Sequence, residues 1–351
     1  MDDLINCACN AVSRGAEWLI RHQNPDGSFA DCKNELVSTY KALLAFAVSG
    51  NTEAGVRCLR YIKAHNLNGE RELSSGDGSV KTTFPSNQRN FANYMDGWVA
   101  IGAWLLGDFE FAARICQRLL QQQAAHGGIL TGPEKWSGVP RYDVLTNASL
   151  GRAFLHTGMR NESRLVADFL AEAVAPRHQR TPDTALDMSF DVSWNHVESF
   201  DPNERVYYRL IFGQRGERVF CPAFACAFLC EIAQLGDKDK YLGAACKYLS
   251  SIIRTPEFVD QSLANGKSGW AAGMLAVAAQ DEGARKAALQ IMPKMLARQR
   301  EDGEFAAASG AVEQTPFAKR LESTAEHVAW AVEYQRLLTL GFFENRGGCH
   351  E

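Results

Sequence analysis

One stretch near the carboxyl end of the sequence places acid–base and aromatic side chains at helical spacing. Ser323, His327, Trp330 and Tyr334 lie at i, i+4, i+7 and i+11, so a helix would present all four on one face. Burial can tune the pKa of an imidazole for general acid or base catalysis. We therefore predict His327 as a catalytic residue, with a hydrogen-bonded core histidine as the alternative.

Two other predicted helix starts combine carboxylates with aromatic or amide groups. They are Tyr94, Asp96 and Trp98 in one helix and Tyr142, Asp143 and Asn147 in the next. Asp143 and Asn147 would share a face. We predict Asp143 and Asp96 as catalytic carboxylates, and Tyr142 and Asn147 as substrate-binding residues. Because aspartate also often caps a first helical turn, a structural role is the alternative for both.

A further catalytic candidate is Cys221, which precedes Pro222. Proline favours the first position of a helix, so this thiol would lie at the positive end of a helix dipole, where the pKa of a cysteine falls. The alternative is a buried apolar cap, since the neighbouring Phe220 and Phe224 are typical of a core.

A long segment, residues 176–221, separates two predicted helices and far exceeds the usual ~2–8 residues of a helix connection. It contains Trp194, His196 and Glu198. Titratable and aromatic groups together are typical of a lid or cavity wall, so we predict that Trp194 and His196 contact substrate and keep Glu198 as a secondary candidate. A surface β-hairpin with incidental charges is the alternative.

The elements that position these residues are indicated by an internal repeat. The pattern Q-x-x-D-G-x-F occurs at 23–29 and again at 299–305, with a weaker copy at 123–129 and a trace from His65 to Gly69. Each copy follows an amphipathic run and precedes another helical pattern. A helix ends most easily with a glycine at positive φ, so the repeating unit is a helix, a glycine turn and a second helix.

Periodicity of 3.6 residues and stop signals predict twelve helices and no convincing strands. Their predicted ranges are 4–22, 35–49, 52–65, 89–106, 108–123, 142–157, 160–175, 222–235, 238–253, 268–279, 282–300 and 320–339. Helices that are apolar on all sides alternate with amphipathic ones. This pattern predicts an all-α fold, an α/α barrel of six inner and six outer helices in one domain of residues 1–351, with 176–221 as an inserted loop.

The repeat also carries a resemblance to a known family. Trp18-Leu19-x3-Gln23-x3-Gly27-x-Phe29 resembles the repeat of squalene cyclases and protein prenyltransferases, the α/α toroid superfamily. The resemblance implies the toroid fold over nearly the whole chain. It also implies that the repeat residues brace the outside of the barrel, namely Gln23, Gly27, Phe29, Gln299, Gly303 and Phe305.

The motifs that carry the family's best-known reactions are missing. The sequence has no D-x-D-D string, which protonation-initiated cyclisation requires, and the nearest string is Asp237-Lys-Asp239-Lys240. It also has no D-D-x-x-D string, so the residues for magnesium-dependent ionisation of a diphosphate are missing too. The cysteine and histidine spacings do not match the zinc sites of the family. We predict no metal and no cofactor.

The composition of the chain indicates which kinds of partner and which cell compartment to expect. The 351 residues include 37 Lys or Arg and 41 Asp or Glu, a net charge of −4, and the basic residues are scattered, which argues against a nucleic-acid groove. The start lacks a basic signal segment, and charged residues interrupt every apolar run before the ~20 residues of a membrane span. We expect a cytoplasmic protein that binds a small molecule, while its oligomeric state is left open.

These features favour an enzyme with a central cavity. The predicted reaction is that of a cofactor-independent lyase, isomerase or cyclase, in which side-chain acids and bases act on an isoprenoid-like or polyene substrate. Aromatic rings could stabilise positive charge there, and the predicted lining includes Tyr40, Tyr94, Trp98, Trp270, Trp330 and Tyr334. A carbohydrate lyase, hydrolase or epimerase is the alternative, and a non-catalytic binding toroid is the third.

Overall fold

The computed structural model describes residues 2–29, 36–68, 72–74, 81, 85–256, 265–306 and 315–340. Within this part of the chain, twelve helices have nine or more residues. They are α1 (Asp2–His22), α2 (Tyr40–Val48), α3 (Thr52–His65), α4 (Pro85–Leu105), α5 (Phe109–Leu120), α6 (Val144–His156), α7 (Arg160–Ala173), α8 (Phe220–Ile232), α9 (Lys238–Ile253), α10 (Asn265–Ala279), α11 (Glu282–Leu296) and α12 (Phe317–Thr339).

The even-numbered helices form a closed inner ring. Each packs against the next, from α2 through α4, α6, α8 and α10 to α12, and α12 packs against α2. The odd-numbered helices pack outside this ring, each against an inner helix next to it in sequence, except that α1 packs against α12 and so joins the two ends of the described chain. The predicted all-α toroid of six inner and six outer helices is confirmed.

Burial separates the two rings as the sequence pattern predicts. Eleven of the thirteen residues of the inner helix α8 are buried, whereas the outer helix α5 buries one stripe that includes Phe111, Ile115 and Leu119. An inner helix has neighbours on all sides, so its sequence is apolar or small nearly throughout. Gly269 of α10, for example, lies against the Tyr334 ring of α12, where a Cβ would clash.

The repeated glutamine and glycine tie the outer layer together. Gly27 and Gly303 have φ of 94° and 96°, and an added Cβ at either would overlap a carbonyl of the adjacent outer helix. The Gln23 side-chain amide donates to the carbonyls of Gly27 (3.4 Å) and Ala54 (3.0 Å). The turn therefore links the end of α1 to α3, away from the barrel axis. The trace at His65 to Gly69 ends outside the described residues.

The expectation that the chain has no strands is wrong for the inserted segment and for residues 141–143. β1 (Arg141–Asp143) pairs with β3 (Ser189–Asp191), and β2 (Ala185–Asp187) pairs with β4 (Arg209–Ile211), both antiparallel. Three-residue strands are too short to display an alternating pattern. One consequence is that α6 begins at Val144 rather than at 142. No helix among the described residues is long and apolar enough to cross a membrane.

Candidate active site

A cavity of about 230 Å³ lies at the amino-terminal ends of the inner helices. All six inner helices contribute to its wall, and the inserted segment adds Tyr207 and Arg218. The charged side chains of the wall are Lys41, Arg218, Lys267, Lys319, Glu322 and Glu326, and its aromatic side chains are Tyr40, Phe91, Tyr94, Tyr207 and Phe220.

Three lysines share two glutamates in this cavity. Lys41 Nζ lies 2.9 Å from Glu322 Oε1 and also contacts Glu326. Lys267 pairs with Glu326, and Lys319 Nζ lies 3.0 Å from Glu322 Oε2. These groups come from α2, α10 and α12, so only closure of the ring brings them together.

Burial and ion pairing set the charge of the two glutamates. Burial by itself raises the pKa of Glu322, but the ammonium groups of Lys41 and Lys319 outweigh it and lower that pKa to about 2. Lys267 and Lys41 likewise overcome burial and hold the pKa of Glu326 far below its usual range. Both carboxylates are therefore ionised at neutral pH, and they act as hydrogen-bond acceptors rather than strong bases.

The pKa values of the two buried lysines, Lys41 and Lys267, are shifted in opposite directions. Burial lowers the pKa of Lys267, and the attraction of Glu326 only partly offsets this effect. Burial also opposes the charge of Lys41, but two carboxylates outweigh it and raise the pKa of Lys41. Lys267 is the cavity amine whose pKa is moved towards neutral pH, which is the direction that favours proton transfer.

Aromatic rings fill the barrel beneath this charged layer. The Trp98 ring lies 5.8 Å from the Tyr40 ring and 5.6 Å from the Trp330 ring, and Trp270 stacks on Trp330 at 4.8 Å. The Trp330 indole donates to Glu326 Oε1 at 3.3 Å. Of the predicted substrate-binding aromatics, Tyr40 and Tyr94 thus line the cavity, while Trp98, Trp270 and Trp330 lie below its wall.

Two predicted residues of α12 lie elsewhere. His327 is not part of the cavity wall: its ring stacks on Phe305 of the outer turn at 5.1 Å, and its Nδ1 lies 2.7 Å from the Ser323 carbonyl oxygen. Burial lowers the pKa of His327 to about 4. The Tyr334 hydroxyl donates to the Gly266 carbonyl at 2.8 Å and so joins α12 to α10. His327 faces the space between the helix layers, which corrects the expected cavity position.

Asp143 and Asn147 hold backbone instead of facing the cavity. Asp143 caps α6, where its Oδ1 accepts from the Thr146 amide at 2.8 Å and its Oδ2 accepts from the Thr131 hydroxyl at 2.6 Å. The Asn147 side chain bonds the backbone N–H and carbonyl of Ile129 at 2.7 and 3.0 Å. Both side chains therefore hold backbone in place, as the structural alternative for Asp143 predicts. Neither residue lines the cavity.

Asp96 and Cys221 are likewise outside the cavity wall. Asp96 is fully buried between Lys81 and Arg118, with which it forms ion pairs. Burial raises the pKa of the Cys221 thiol, which is opposite to the lowering expected from a helix terminus. The reason is that Cys221 is packed in the core, and desolvation of a thiolate outweighs the attraction of a single dipole.

The remaining candidates belong to the inserted segment or lie against it. Tyr142 lies edge-on to His126 at 4.7 Å, and Trp194 stacks on His178 at 4.6 Å. His196 Nδ1 is 3.6 Å from Asp187 Oδ2, and the exposed Glu198 is 3.4 Å from Arg180. None of these four candidates lines the cavity, although Tyr207 and Arg218 of the same segment do.

Sequence reasoning missed the charged residues of the cavity. Glu322 and Glu326 are spaced i, i+4 on α12, one residue before the pair Ser323 and His327 that supports the histidine prediction. The signal that could have found them is the presence of charged residues inside an inner helix. Such a position is buried, and a buried charge needs a partner. Among the described residues, no group of three or more His, Cys, Asp or Glu could hold a metal ion.

Comparison with known proteins identifies the fold and not the sequence family. No protein-family model and no curated protein sequence matches the chain. A crystal structure of D-mannose isomerase superposes with a TM-score of 0.64 at 13% identity, covering 93% of this chain and 97% of that one. The cellobiose 2-epimerase of Spirochaeta thermophila gives a TM-score of 0.64 at 15% identity and covers 92% and 93%.

A third similar structure is a type II terpene cyclase. This protein from Scytonema, in complex with geranylgeranyl dihydroxybenzoate, gives a TM-score of 0.60 at 12% identity and covers 96% of this chain and 100% of that one. Nearly whole-length coverage of all three shows that the chain has the α/α toroid fold.

Proposed function

We propose that the protein is an enzyme that transfers protons on a small, hydroxylated, sugar-like molecule in the central cavity. The observation that carries this proposal is the layer of two ionised glutamates and three lysines above an aromatic floor. Sugar sites need several hydrogen-bonding groups together with a flat apolar surface, and this cavity supplies both. D-mannose isomerase and cellobiose 2-epimerase have the same fold, which agrees with the proposal.

Lys267 is the proposed proton-transfer residue. Its lowered pKa gives it a larger neutral fraction than an ordinary lysine has at the same pH. The neutral Nζ takes a proton from the carbon next to the carbonyl of an open-chain sugar, which leaves an enediolate beside the new ammonium. In isomerisation the ammonium returns the proton to the former carbonyl carbon, while the proton of the neighbouring hydroxyl moves to the former carbonyl oxygen. In epimerisation the enediolate turns its other face to Lys267 before the proton returns to the same carbon. The products are an isomer or an epimer, and no other reactant is consumed.

Glu326 and Glu322 have positioning and binding roles in this proposal. Glu326 holds Lys267 and Lys41 in place, and carboxylates accept hydrogen bonds from sugar hydroxyls. The Tyr40 hydroxyl, which donates to Glu322 at 2.9 Å, extends the same network. A cavity of about 230 Å³ is below the ~300–1,000 Å³ typical of drug-sized ligands, which suits a molecule of one sugar unit.

A second candidate is terpenoid chemistry, which the aromatic floor favours. Trp98 and Trp330 could stabilise a carbocation through their ring faces. Four cationic side chains in the same small cavity oppose this, because like charges at short range raise the energy of a cationic intermediate. The cavity chemistry therefore favours the carbohydrate alternative over the isoprenoid substrate.

Solvent-deuterium exchange tests the proposal and does not require the product to be identified. Incubation of the protein in D₂O with a panel of aldoses, ketoses and their acid or phosphate derivatives should incorporate deuterium next to the carbonyl of at least one sugar, detected by NMR. Lys267→Gln and Lys267→Arg should each lower the exchange rate at least ~100-fold. Arginine is the stringent change, since it keeps the charge but does not deprotonate.

A matched lysine variant controls for charge and expression. Lys286 is exposed on the outer helix α11, and Lys286→Gln should exchange at the rate of the unchanged protein. Melting temperatures confirm that each variant is folded. Undiminished exchange by folded Lys267→Gln protein, or turnover of polyprenyl diphosphates with no sugar exchange, would contradict the proposal.

A further inference from the structure

The charges in the cavity wall do not balance. Among the described residues of the wall, four side chains that are cationic when protonated, Lys41, Arg218, Lys267 and Lys319, face two carboxylates, Glu322 and Glu326. The difference, 4 − 2, leaves an excess of two positive charges in a partly buried space. The chain as a whole has a net charge of −4, so this excess is a local property of the cavity.

Arg218 supplies one of these two excess charges. Its guanidinium lies 5.2 Å from the centre of the Tyr207 ring and donates to the Tyr207 hydroxyl at 3.2 Å. No ion pair of Arg218 occurs among the described residues, whereas the three lysines each contact a glutamate. An arginine held on an aromatic ring keeps most of its donors free for a planar, bidentate acceptor.

The position of the cations divides the cavity into an outer and an inner part. Arg218 is exposed, and the Lys319 side chain is 36% exposed, whereas those of Lys41 and Lys267 are 8% and 7% exposed. Arg218 and Lys319 are therefore the cations nearest the solvent, and the Lys267–Glu326 pair lies deeper. The outer part is the place where an anionic group could bind while remaining partly hydrated.

The backbone adds to the positive potential. Five of the six inner helices, all except α4, contribute a residue of their first turn to the cavity wall. Each helix start carries a partial positive charge, and together the starts favour an anion at the shared end of the ring. The helix dipoles and the Arg218 guanidinium are separate sources of the same preference.

We propose that the substrate carries a phosphate or carboxylate group, which Arg218 and Lys319 bind at the outer part of the cavity. This inference rests on the proposed sugar chemistry at Lys267 and specifies its substrate class as a sugar phosphate or a sugar acid. The anionic group neutralises the excess charge, and the carbonyl end of the sugar is then directed inward to Lys267 and Glu326.

Calorimetric titration with three sets of probes tests the inference. Hexoses, hexose 6-phosphates and hexuronates are each titrated into the protein at low and at physiological salt. One anionic set should bind at least ~10-fold more tightly than the hexoses, with affinity that falls as salt rises. The set that binds tells phosphate from carboxylate.

Two variants and a control assign the binding residues. Arg218→Gln and Lys319→Gln should each weaken the anionic probe ~10-fold or more and change hexose affinity less than about twofold. Arg160, exposed on the outer helix α7, provides the matched control Arg160→Gln, which should bind all probes as the unchanged protein does. Because Arg218 is exposed, its variant should retain the melting temperature.

The outcomes separate this inference from the proposed function. Equal affinity for hexoses and both anionic sets, or unchanged anion affinity in Arg218→Gln, overturns the anionic-substrate assignment even if deuterium exchange depends on Lys267. Inorganic phosphate that binds as tightly as the hexose 6-phosphates also overturns it, since the site would then recognise no sugar. Anion binding that depends on Arg218, without exchange at any sugar, supports the charge preference and rejects the reaction.

Discussion

Lys267 of α10 and Glu326 of α12 form an ion pair across two adjacent inner helices. Their side chains are 7% and 10% exposed, so both charges have lost most of their hydration. A buried pair of this kind adds little net stability, yet removal of one partner leaves an uncompensated charge. The pair therefore serves as a fixed polar element above the aromatic rings of the barrel.

The stability of this pair can be tested by removing its partners singly and together. Glu326→Leu should destabilise the protein by about 3–5 kcal/mol, because Lys267 then remains buried without its carboxylate. Glu326→Leu combined with Lys267→Met should cost less than Glu326→Leu alone. Denaturant unfolding measures all three proteins.

A surface pair provides the control for that experiment. Glu53 is 93% exposed and lies 2.7 Å from Arg57 on α3. Glu53→Gln should change the free energy of unfolding by less than about 1 kcal/mol. A double variant less stable than Glu326→Leu would show that the Lys267 methylenes matter more than its charge.

The pH dependence of turnover gives a separate prediction for Lys267. The neutral amine is the proposed base, so kcat/KM should rise with pH and level off above the pKa of Lys267, which burial places below the usual lysine value of 10.5. Glu326→Gln removes the carboxylate that favours the ammonium form and should move the rising limb to lower pH. If the rising limb of the pH profile stays at the same pH in Glu326→Gln, the assignment of Lys267 as the titrating group is contradicted.

The fold was predictable because its signals are local in sequence. The Gln23 to Phe29 turn, with glycine at positive φ, recurs at 299–305, and a glycine stop between two helical patterns does not depend on distant residues. Alternation of apolar and amphipathic helices then indicates the two layers. The short strands of the inserted segment carried no such pattern and were missed.

The cavity residues were harder to predict because an inner helix has no single polar face. On α12, the pairs Ser323/His327 and Glu322/Glu326 have the same spacing and differ by one position, which is about 100° of helix rotation. Sequence alone favours histidine as a catalytic group. The structure shows which pair faces inward, because His327 packs on Phe305 whereas Glu322 and Glu326 contact Lys41.

The turn glycines provide a stability prediction with an internal control. Gly27→Ala should destabilise by about 2 kcal/mol or more, since the positive φ is strained for alanine and the Cβ would also overlap the Arg57 carbonyl. Gly50 has φ of 77° but nothing within 4 Å of an added Cβ, so Gly50→Ala should cost only about 1 kcal/mol. Thermal unfolding measures both. Equal losses would show that the backbone contact of Gly27 contributes nothing.

Thiol reactivity tests the catalytic role predicted for Cys221. Cys221 is buried and burial raises its pKa, so iodoacetamide at neutral pH should leave it unmodified in the folded protein, whereas the exposed Cys7 should be alkylated. Peptide mass spectrometry distinguishes these sites. Cys221→Ala should retain sugar exchange within about threefold, because a non-catalytic core change acts mainly on stability. Rapid alkylation of Cys221, or a ~100-fold loss of exchange, would restore it as a candidate nucleophile.

His327 should make stability depend on mildly acidic pH. Burial lowers its pKa from 6.5 to about 4 in the folded state, so the unfolded chain binds a proton between these values and the folded protein does not. Stability from this group is therefore complete above pH 6.5 and falls as the pH decreases towards 4, by a total of about 3 kcal/mol. His327→Gln removes the titrating group and should flatten the unfolding free energy over that interval, even if it lowers stability at every pH. Denaturant unfolding at several pH values measures how the free energy of unfolding changes with pH in the unchanged protein and in His327→Gln. The same pH dependence in both proteins would mean that His327 titrates normally and is more hydrated than its contact with Phe305 indicates.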